Sequence, residues 1–428
     1  MSTAEGVKGV LVEREPARPI GAGLAFRFLF AMTFVSAFQF VSWIANYLEP
    51  ETVSQRVQAW LAPPAMVETR TIMFVGAWTV RAITRDSAPV GDMITRYNRD
   101  ATAAGLCYLL GFILVATALA LTWHLLDRRP RAYPTANAWM RLYARVALAL
   151  VTIVYAIVKV VPTQFGFLTP GELLQPFGKL TRFSVLWNFM AVSTGYTIFT
   201  GSLELAGALL VLYRRTVLPG ALVLAAALVN VFALDLAYHV SAGATHIAVL
   251  LLALDVVLLA HYARPLAELL LYGKCELPPE PVAFRWRFAP LAMTLLIVWS
   301  LSIRVHQGIV WRRSYYGAGH PIYGLYDVVE FKGGGSRPIW KRVASDGRYD
   351  SGLISVQLAG GEVERYVLKD DAAKRTWTLR QGRDGAAELR YTVDSDGSAS
   401  LDGRIGSDPV HMRLHRVDPE KFFPLARK

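Results

Sequence analysis

The sequence predicts an α-helical polytopic membrane protein, with about seven transmembrane helices, that carries a small antiparallel β barrel or sandwich at its C-terminus. Two observations predict the helices: a 54% hydrophobic composition with positive mean hydropathy, and apolar stretches of near-membrane length before residue 305. Such a composition is too apolar for an ordinary soluble protein of 428 residues. The third observation is an alternating pattern after residue 305. We therefore expect a transmembrane domain over 20–305 and a β-rich domain over 306–428.

Each apolar stretch is close to the ~20 residues that a helix needs to cross a ~30 Å hydrocarbon core. The predicted spans are 20–45, 101–123, 143–162, 189–213, 217–238, 244–262 and 288–305. Residues 46–100 are less apolar and contain several prolines, so they form an external excursion in which 72–80 suits a helix lying in the interface. The apolar loop 162–184 is broken by proline and glycine, and we expect it to pack at the mouth of the bundle.

Basic residues collect at the junctions that alternate to one face of the membrane. The positive-inside rule makes that face cytoplasmic, so 1–19 is a cytoplasmic tail and the C-terminal domain is extracytoplasmic. Frequent arginine and alanine favour a bacterial inner membrane, with the β-rich domain in the periplasm. The junction residues are Arg14, Arg18, Arg128, Arg129, Arg131, Arg214, Arg215, Arg264, Lys274, Arg285 and Arg287.

Much of the net charge of +12 sits at these junctions, where it meets anionic lipid head groups. No basic stretch is interleaved with aromatic residues, so the lipid membrane is the expected partner and nucleic acid is not. The two cysteines, Cys107 and Cys275, lie in segments that should not meet, so we expect neither a disulfide nor a cysteine metal site.

After residue 305 the sequence alternates between apolar and polar residues. In 410–417, Val410, Met412 and Leu414 fall on one face and His411 on the other, as in a strand with one buried side. Strands at roughly ten-residue spacing predict a small antiparallel barrel or sandwich. The predicted strands are 325–332, 338–343, 352–358, 363–368, 374–380, 387–393, 398–405 and 410–417. Turn signals separate them at Gly333-Gly334-Gly335, Asp346-Gly347, Gly360-Gly361, Asp384-Gly385 and Asp396-Gly397.

Ionisable residues inside the spans are site candidates, because a charge in the bilayer is costly. At 1.5 Å per residue, Glu204 lies about 15 Å from Arg214 and Asp255 lies similarly deep, so both are predicted near the midplane. We predict that these two carboxylates form a mid-membrane pair. A second polar layer is predicted at the outer mouth, from Lys159, Asp235, His239 and His246.

Simpler interpretations stay open for each of these residues. Lys159 stands at a helix end, where its side chain can reach the outer head groups. His239 and His246 flank a short turn and can be hydrated, and their spacing with Asp235 matches no metal-binding signature, so no metal site is predicted. The two midplane carboxylates can be structural, forming hydrogen bonds across helices.

The region around the fourth span resembles the DoxX-like membrane proteins, in their long bacterial form with a C-terminal β-rich extension. The resemblance covers about residues 140–262 well and the rest loosely. At Asp235 and at 239–243 this chain departs from the residues that relatives usually show, which implies a different ligand there. The matching residues are Leu186-Trp187-Asn188-Phe189-Met190, Tyr196-Thr197-Ile198-Phe199-Thr200-Gly201, Glu204 and Tyr213-Arg214-Arg215-Thr216.

Two function classes follow. The resemblance implies a redox-associated module that binds a quinone or supports a partner oxidoreductase, with no reaction of its own demonstrable. Glu204 and Asp255 would then carry protons in the catalytic role. The alternative is a small-molecule transporter or sensor whose outer β-domain binds a ligand or a periplasmic partner above the mouth. In the redox class, the residues around the quinone head group would be Trp187, Asn188, Tyr196 and Phe199.

Overall fold

The computed structural model describes residues 20–43, 51–127, 133–274, 276–282, 288–316, 321–333, 339–346, 351–381 and 384–423. Several features named above lie outside these residues. They are the tail 1–19, the basic residues at 128–131, Cys275, Arg285, Arg287, Gly334, Gly335, Pro338 and Gly347.

The described part of the chain up to Tyr316 consists mainly of helices, as the apolar stretches predicted. A single-turn 3-10 helix at Ala260–Tyr262 joins two of them. The helices are α1 (Ile20–Trp43), α2 (Glu51–Thr84), α3 (Val90–Tyr97), α4 (Ala101–Leu126), α5 (Pro134–Val160), α6 (Pro170–Leu174), α7 (Arg182–Val192), α8 (Thr194–Leu212), α9 (Val217–Ala237), α10 (Ala242–Leu259), α11 (Ala263–Tyr272) and α12 (Ala289–Tyr316).

Among the described residues, six helical segments are long and apolar enough to cross a membrane. They are α4, α5, α8, α9, α10 continued by α11, and most of α12. The predicted first span is also helical, as α1, but its apolar stretch Gly23–Ala37 is shorter. The predicted span 189–213 is divided at Ser193, whose side chain caps α8 by accepting from the Tyr196 N–H.

Glycines bring the helices of the bundle close together. A Cβ on Gly201 of α8 would lie 2.6 Å from the Lys159 Cβ and 2.8 Å from the Ala156 carbonyl oxygen of α5. Only glycine leaves room for this approach, as expected of small residues at helix contacts in membranes. The close contact fixes which residues of α5 and α8 face each other.

Helix α2 packs against α1 and α4 and does not stand apart from the bundle. Gly111 of α4 meets the Ile72 carbonyl, and Gly76 of α2 meets the Cys107 carbonyl. The buried face of α2 includes Ile72 and Ala77, whereas Trp78 is exposed. The local sequence of 72–80 suits a helix lying in the interface because it includes aromatic residues such as Trp78. It does not show the packing of this segment against α4.

The C-terminal domain is a closed antiparallel barrel in which every strand pairs with its sequence neighbour and β1 also pairs with β8. The eight predicted strands are confirmed. Closure leaves no free sheet edge. The strands are β1 (Gly324–Gly333), β2 (Trp340–Ser345), β3 (Ser351–Leu358), β4 (Val363–Asp371), β5 (Thr376–Gln381), β6 (Asp384–Val393), β7 (Ala399–Ile405) and β8 (Asp408–Val417), followed by α13 (Pro419–Phe422).

Large apolar side chains fill the inside of the barrel. Trp377, Leu368 and Met412 are among its fully buried residues, and the predicted alternation of β8 is confirmed. A barrel of eight strands is just wide enough for side chains to fill. A ligand of this domain would therefore bind outside the barrel core.

The barrel contacts the loop that follows α5. Helix α6 begins with a capping box formed by Thr169 and Glu172, and the Gly171 N–H donates to Asp346 Oδ1 of the barrel at 2.9 Å. The Thr169 hydroxyl donates to the other oxygen of Asp346 at 3.1 Å. We call the end of the helical bundle that meets the barrel the barrel end, and the opposite one the far end.

Candidate functional site

Helices α5 and α8 place a buried ion pair inside the bundle. Lys159 Nζ donates to Glu204 Oε1, and the two residues are only 7% and 5% exposed. Lys159 lies in the last turn of α5, and the contact at Gly201 brings that turn against the middle of α8. The interpretation that the Lys159 side chain reaches outer head groups is therefore wrong, because its ammonium group is paired within the bundle.

A second carboxylate faces the same lysine. Asp235 of α9 is buried and interacts electrostatically with Lys159 and with Tyr155 of α5. The site therefore sets one ammonium group against two carboxyl groups, at the contact of three apolar helices. Low surrounding dielectric makes an uncompensated negative charge costly, so the second carboxyl group needs a proton or another cation. We call Lys159, Glu204 and Asp235 the buried triad.

Asp255 is not part of this group, so the predicted pairing of Glu204 with Asp255 is wrong. Two residues after Asp255, the Val257 carbonyl accepts from Arg141 Nη1, near the start of α5. Lys159, which pairs with Glu204, lies about 27 Å further along α5 at 1.5 Å per residue. Asp255 is nevertheless almost fully buried, and its Oδ1 has no hydrogen-bond partner in the described part of the chain.

The two histidines of the predicted outer layer lie in different places. His239 has a positive φ of 52° in the turn after α9, at the barrel end. Its Nδ1 is 3.3 Å from Asp100 Oδ1 and its Nε2 is 3.0 Å from Arg182 Nη1. His246 instead stacks on Tyr108 with ring centroids 4.1 Å apart. Across the described residues, no three His, Cys, Asp or Glu side chains are grouped so as to hold a metal ion.

The four residues predicted around a quinone head group lie on α7 and α8. Tyr196 and Phe199 are exposed on the outside of α8. Trp187 stacks on Phe183 at 4.0 Å between ring centroids, and Asn188 follows it on α7. The aromatic rings of α8 therefore lie on the outer surface of the bundle, the position in which they would meet lipid.

A cavity of about 780 Å³ lies between the bundle and the barrel. Its apolar wall includes Phe167 and Leu325, and the start of α8, at Ser193, also lines the cavity. The cavity has the size of a ligand pocket. Its charged lining residues are Arg312, Arg416, Asp418 and Glu420.

The far end contains a polar cluster that the sequence analysis did not predict. Arg141 of α5 donates to both carboxylate oxygens of Glu280, at 3.0 and 2.6 Å, and to the Val257 and Leu258 carbonyls at 3.0 Å. The Tyr262 hydroxyl also donates to Glu280, at 2.9 Å. The sequence offered two signals for this cluster: an arginine near the start of an apolar span, and a glutamate between prolines. Because 139 residues separate them, the sequence does not indicate that they form a pair.

The fold and these sites define a multi-pass membrane protein with a C-terminal eight-stranded barrel. A segment of 115 residues, 27% of the chain, is 32% identical to the Uncharacterized protein YwoB of Bacillus subtilis strain 168 and covers 71% of that relative. The chain belongs to the same family as this Bacillus protein. No family model matches the chain, so the DoxX-like resemblance stays a prediction. No solved structure matches it either.

Proposed function

We propose that this protein is a transporter or sensor that binds a small amphipathic molecule in the cavity between the bundle and the barrel. The cavity carries the proposal, because it combines an apolar wall with two arginines at the junction of the two domains. The Arg312 guanidinium lies over the Phe167 ring, 5.6 Å from its centroid, which holds a cation beside an apolar surface. A ligand with an acyl or ring portion and a charged or zwitterionic head group fits this lining, because Asp418 and Glu420 line the cavity together with the two arginines.

The buried triad supports a coupled function. Glu204 lies nine residues along α8 from Gly195, which lines the cavity, and this is about 14 Å at the helical rise. A ligand that moves the start of α8 therefore acts on the same helix that holds Glu204 against Lys159. Ionisable residues within a bundle commonly mark ion or proton pathways. We infer that ligand binding and the ion pairing within the buried triad influence each other.

The redox-associated function rests on the DoxX-like resemblance. The geometry favours the transporter or sensor class, because Tyr196 and Phe199 of the predicted quinone site are exposed on α8, whereas Glu204 of the same helix is buried. A quinone is still an amphipathic molecule, and its identification in the purified protein would support the redox class instead.

The cavity proposal predicts a bound molecule that depends on the two arginines. The full-length protein, purified gently from its native membrane, should yield one small amphipathic species on extraction and mass spectrometry. Arg312→Met combined with Arg416→Met keeps side-chain length but removes both charges, so we expect at least a tenfold lower yield of that species. This loss corresponds to about 1.4 kcal/mol or more of binding free energy.

Arg313→Met combined with Arg413→Met is the matched control, because these exposed neighbours do not line the cavity. The control should retain the wild-type yield. Equal yields from the two double variants, or no species at all in the wild type, would contradict the cavity proposal.

We also propose that the barrel end faces outward. The described basic residues Arg214, Arg215, Arg264 and Lys274 lie at the far end, where the positive-inside rule places the cytoplasm. Reporter fusions after Gly243 and Lys428 should therefore be extracytoplasmic, and fusions at Arg131 and Lys274 cytoplasmic. A cytoplasmic signal after Lys428 would show that the number of crossings is different.

A further inference from the structure

A second buried polar group lies where α2 packs into the bundle, away from the triad. Glu68 of α2 is 9% exposed and its Oε2 accepts from the Gln39 N–H of α1 at 2.9 Å. Tyr108 of α4, which is 1% exposed, interacts with the same carboxyl group. His246 of α10 stacks on the Tyr108 ring. Four helices thus contribute to one connected group.

Three buried atoms of this group have no hydrogen-bond partner among the described residues: Gln39 Oε1, Glu68 Oε1 and His246 Nε2. The His246 ring already uses one N–H on the Ala104 backbone, which leaves Nε2 as an acceptor in the neutral ring. All three unpartnered atoms are therefore acceptors. Buried polar atoms are normally paired, so such a set indicates that a donor is bound there.

We propose that Glu68, Tyr108 and His246 form a proton-binding site inside the bundle, independent of the buried triad. The proton binds Glu68 Oε1, which turns a carboxylate acceptor into a carboxylic acid donor. The other oxygen of Glu68 already accepts from the Gln39 main-chain N–H. His246 Nε2 is the second basic atom of the site. Proton uptake changes only O–H and N–H bonds, so it requires no oxidant or reductant.

The surroundings of Glu68 favour a proton over an ion pair. The groups that face it are Gln39 from α1, Tyr108 from α4 and Tyr143 from α5, with His246 of α10 beyond the Tyr108 ring. None of these described groups is a lysine or arginine. The Tyr143 hydroxyl instead donates to the Ala37 carbonyl at 3.5 Å. A carboxyl group enclosed by neutral partners is best stabilised as the acid.

Infrared difference spectroscopy of the full-length protein in lipid, recorded between acidic and alkaline pH, tests the site directly. A protonated carboxyl group gives its own C=O stretching band, and Glu68→Gln should remove one such band. Tyr108→Phe should shift the frequency of that band by removing a phenol that faces it. His246→Gln should move the pH midpoint at which the band is lost, since it removes the second basic atom.

Glu268→Gln is the control, because this glutamate forms a surface ion pair with Arg264 at the far end, and the band should persist. If Glu68→Gln does not fold, Glu68→Asp decides, because a shorter acid must shift the band. A spectrum unchanged by either variant overturns the proposal. So does a wild-type spectrum without a pH-dependent carboxyl band, which would mean that ordered water is the donor.

Discussion

Replacing Arg141 with alanine is expected to lower the free energy of unfolding by about 3–5 kcal/mol, the typical cost of breaking a buried ion pair. The arginine is 1% exposed and donates four hydrogen bonds, two of them to Glu280. Its removal leaves the Glu280 carboxylate buried, with the Tyr262 hydroxyl as its one remaining side-chain donor among the described residues. Unfolding in mixed micelles with increasing denaturing detergent measures this change.

Two controls separate the ion pair from the loss of an arginine in general. Arg264→Ala removes an exposed arginine that pairs with Glu268, and its effect on unfolding should be small. Arg141→Met combined with Glu280→Leu replaces both charges with apolar side chains and should recover much of the lost stability. If Arg141→Ala unfolds like Arg264→Ala, the buried pair does not stabilise the far end.

Replacing Lys159 with methionine is the second change for which a loss of about 3–5 kcal/mol is expected. Methionine fills a similar volume, so the principal effect is that Glu204 and Asp235 stay buried without the cation that both of them face. Lys159→Met with Glu204→Leu should be more stable than Lys159→Met alone, because only Asp235 then remains. A double-mutant cycle in lipid or detergent gives the coupling energy.

Asp235→Asn is the matched control for the triad. It removes the second carboxylate and leaves the ion pair of Lys159 with Glu204 intact. The loss of stability should therefore be clearly smaller than that of Lys159→Met. Additive effects of the Lys159 and Glu204 substitutions would show that the two residues do not interact in the membrane. A larger loss for Asp235→Asn would mean that Asp235, not Glu204, is the main partner of Lys159.

The barrel was predictable because its signals are local. Alternation in β8 identifies the buried face from Val410, Met412 and Leu414, and glycine-containing turns mark where strands end. Antiparallel neighbours joined by short turns then follow the chain order. The pairing of β1 with β8 has no local signal, so the sequence left barrel and sandwich open.

The partner of Glu204 was mispredicted for a different reason. Depth was counted along each helix from its own arginine, which assumes that all helices start at one level. The contact at Gly201 instead offsets α8 along α5, and this brings Glu204 to Lys159. The shift of one helix along another depends on how their surfaces pack. Residue spacing within a single helix carries no information about that packing.

The contacts of Glu68 and Glu280 with distant segments could not be predicted. Glu68 stands in a region taken as an external excursion, yet it accepts from the backbone of α1. Glu280 lies in a proline-rich loop but is buried by Arg141. Both residues are buried by segments that are distant in sequence. Their own flanking residues predict a solvent-exposed position.

The closed barrel constrains how the protein is made. Leu325 in the first strand pairs with Val417 in the last, 92 residues later. At ribosomal rates of 5–20 residues per second, the first strand waits on the order of ten seconds for its second partner. Throughout that interval the nascent chain exposes an unpaired sheet edge while α12 is already made. A chaperone that shields this edge, or slow release from the membrane insertion machinery, would decide how much of the newly made protein escapes aggregation.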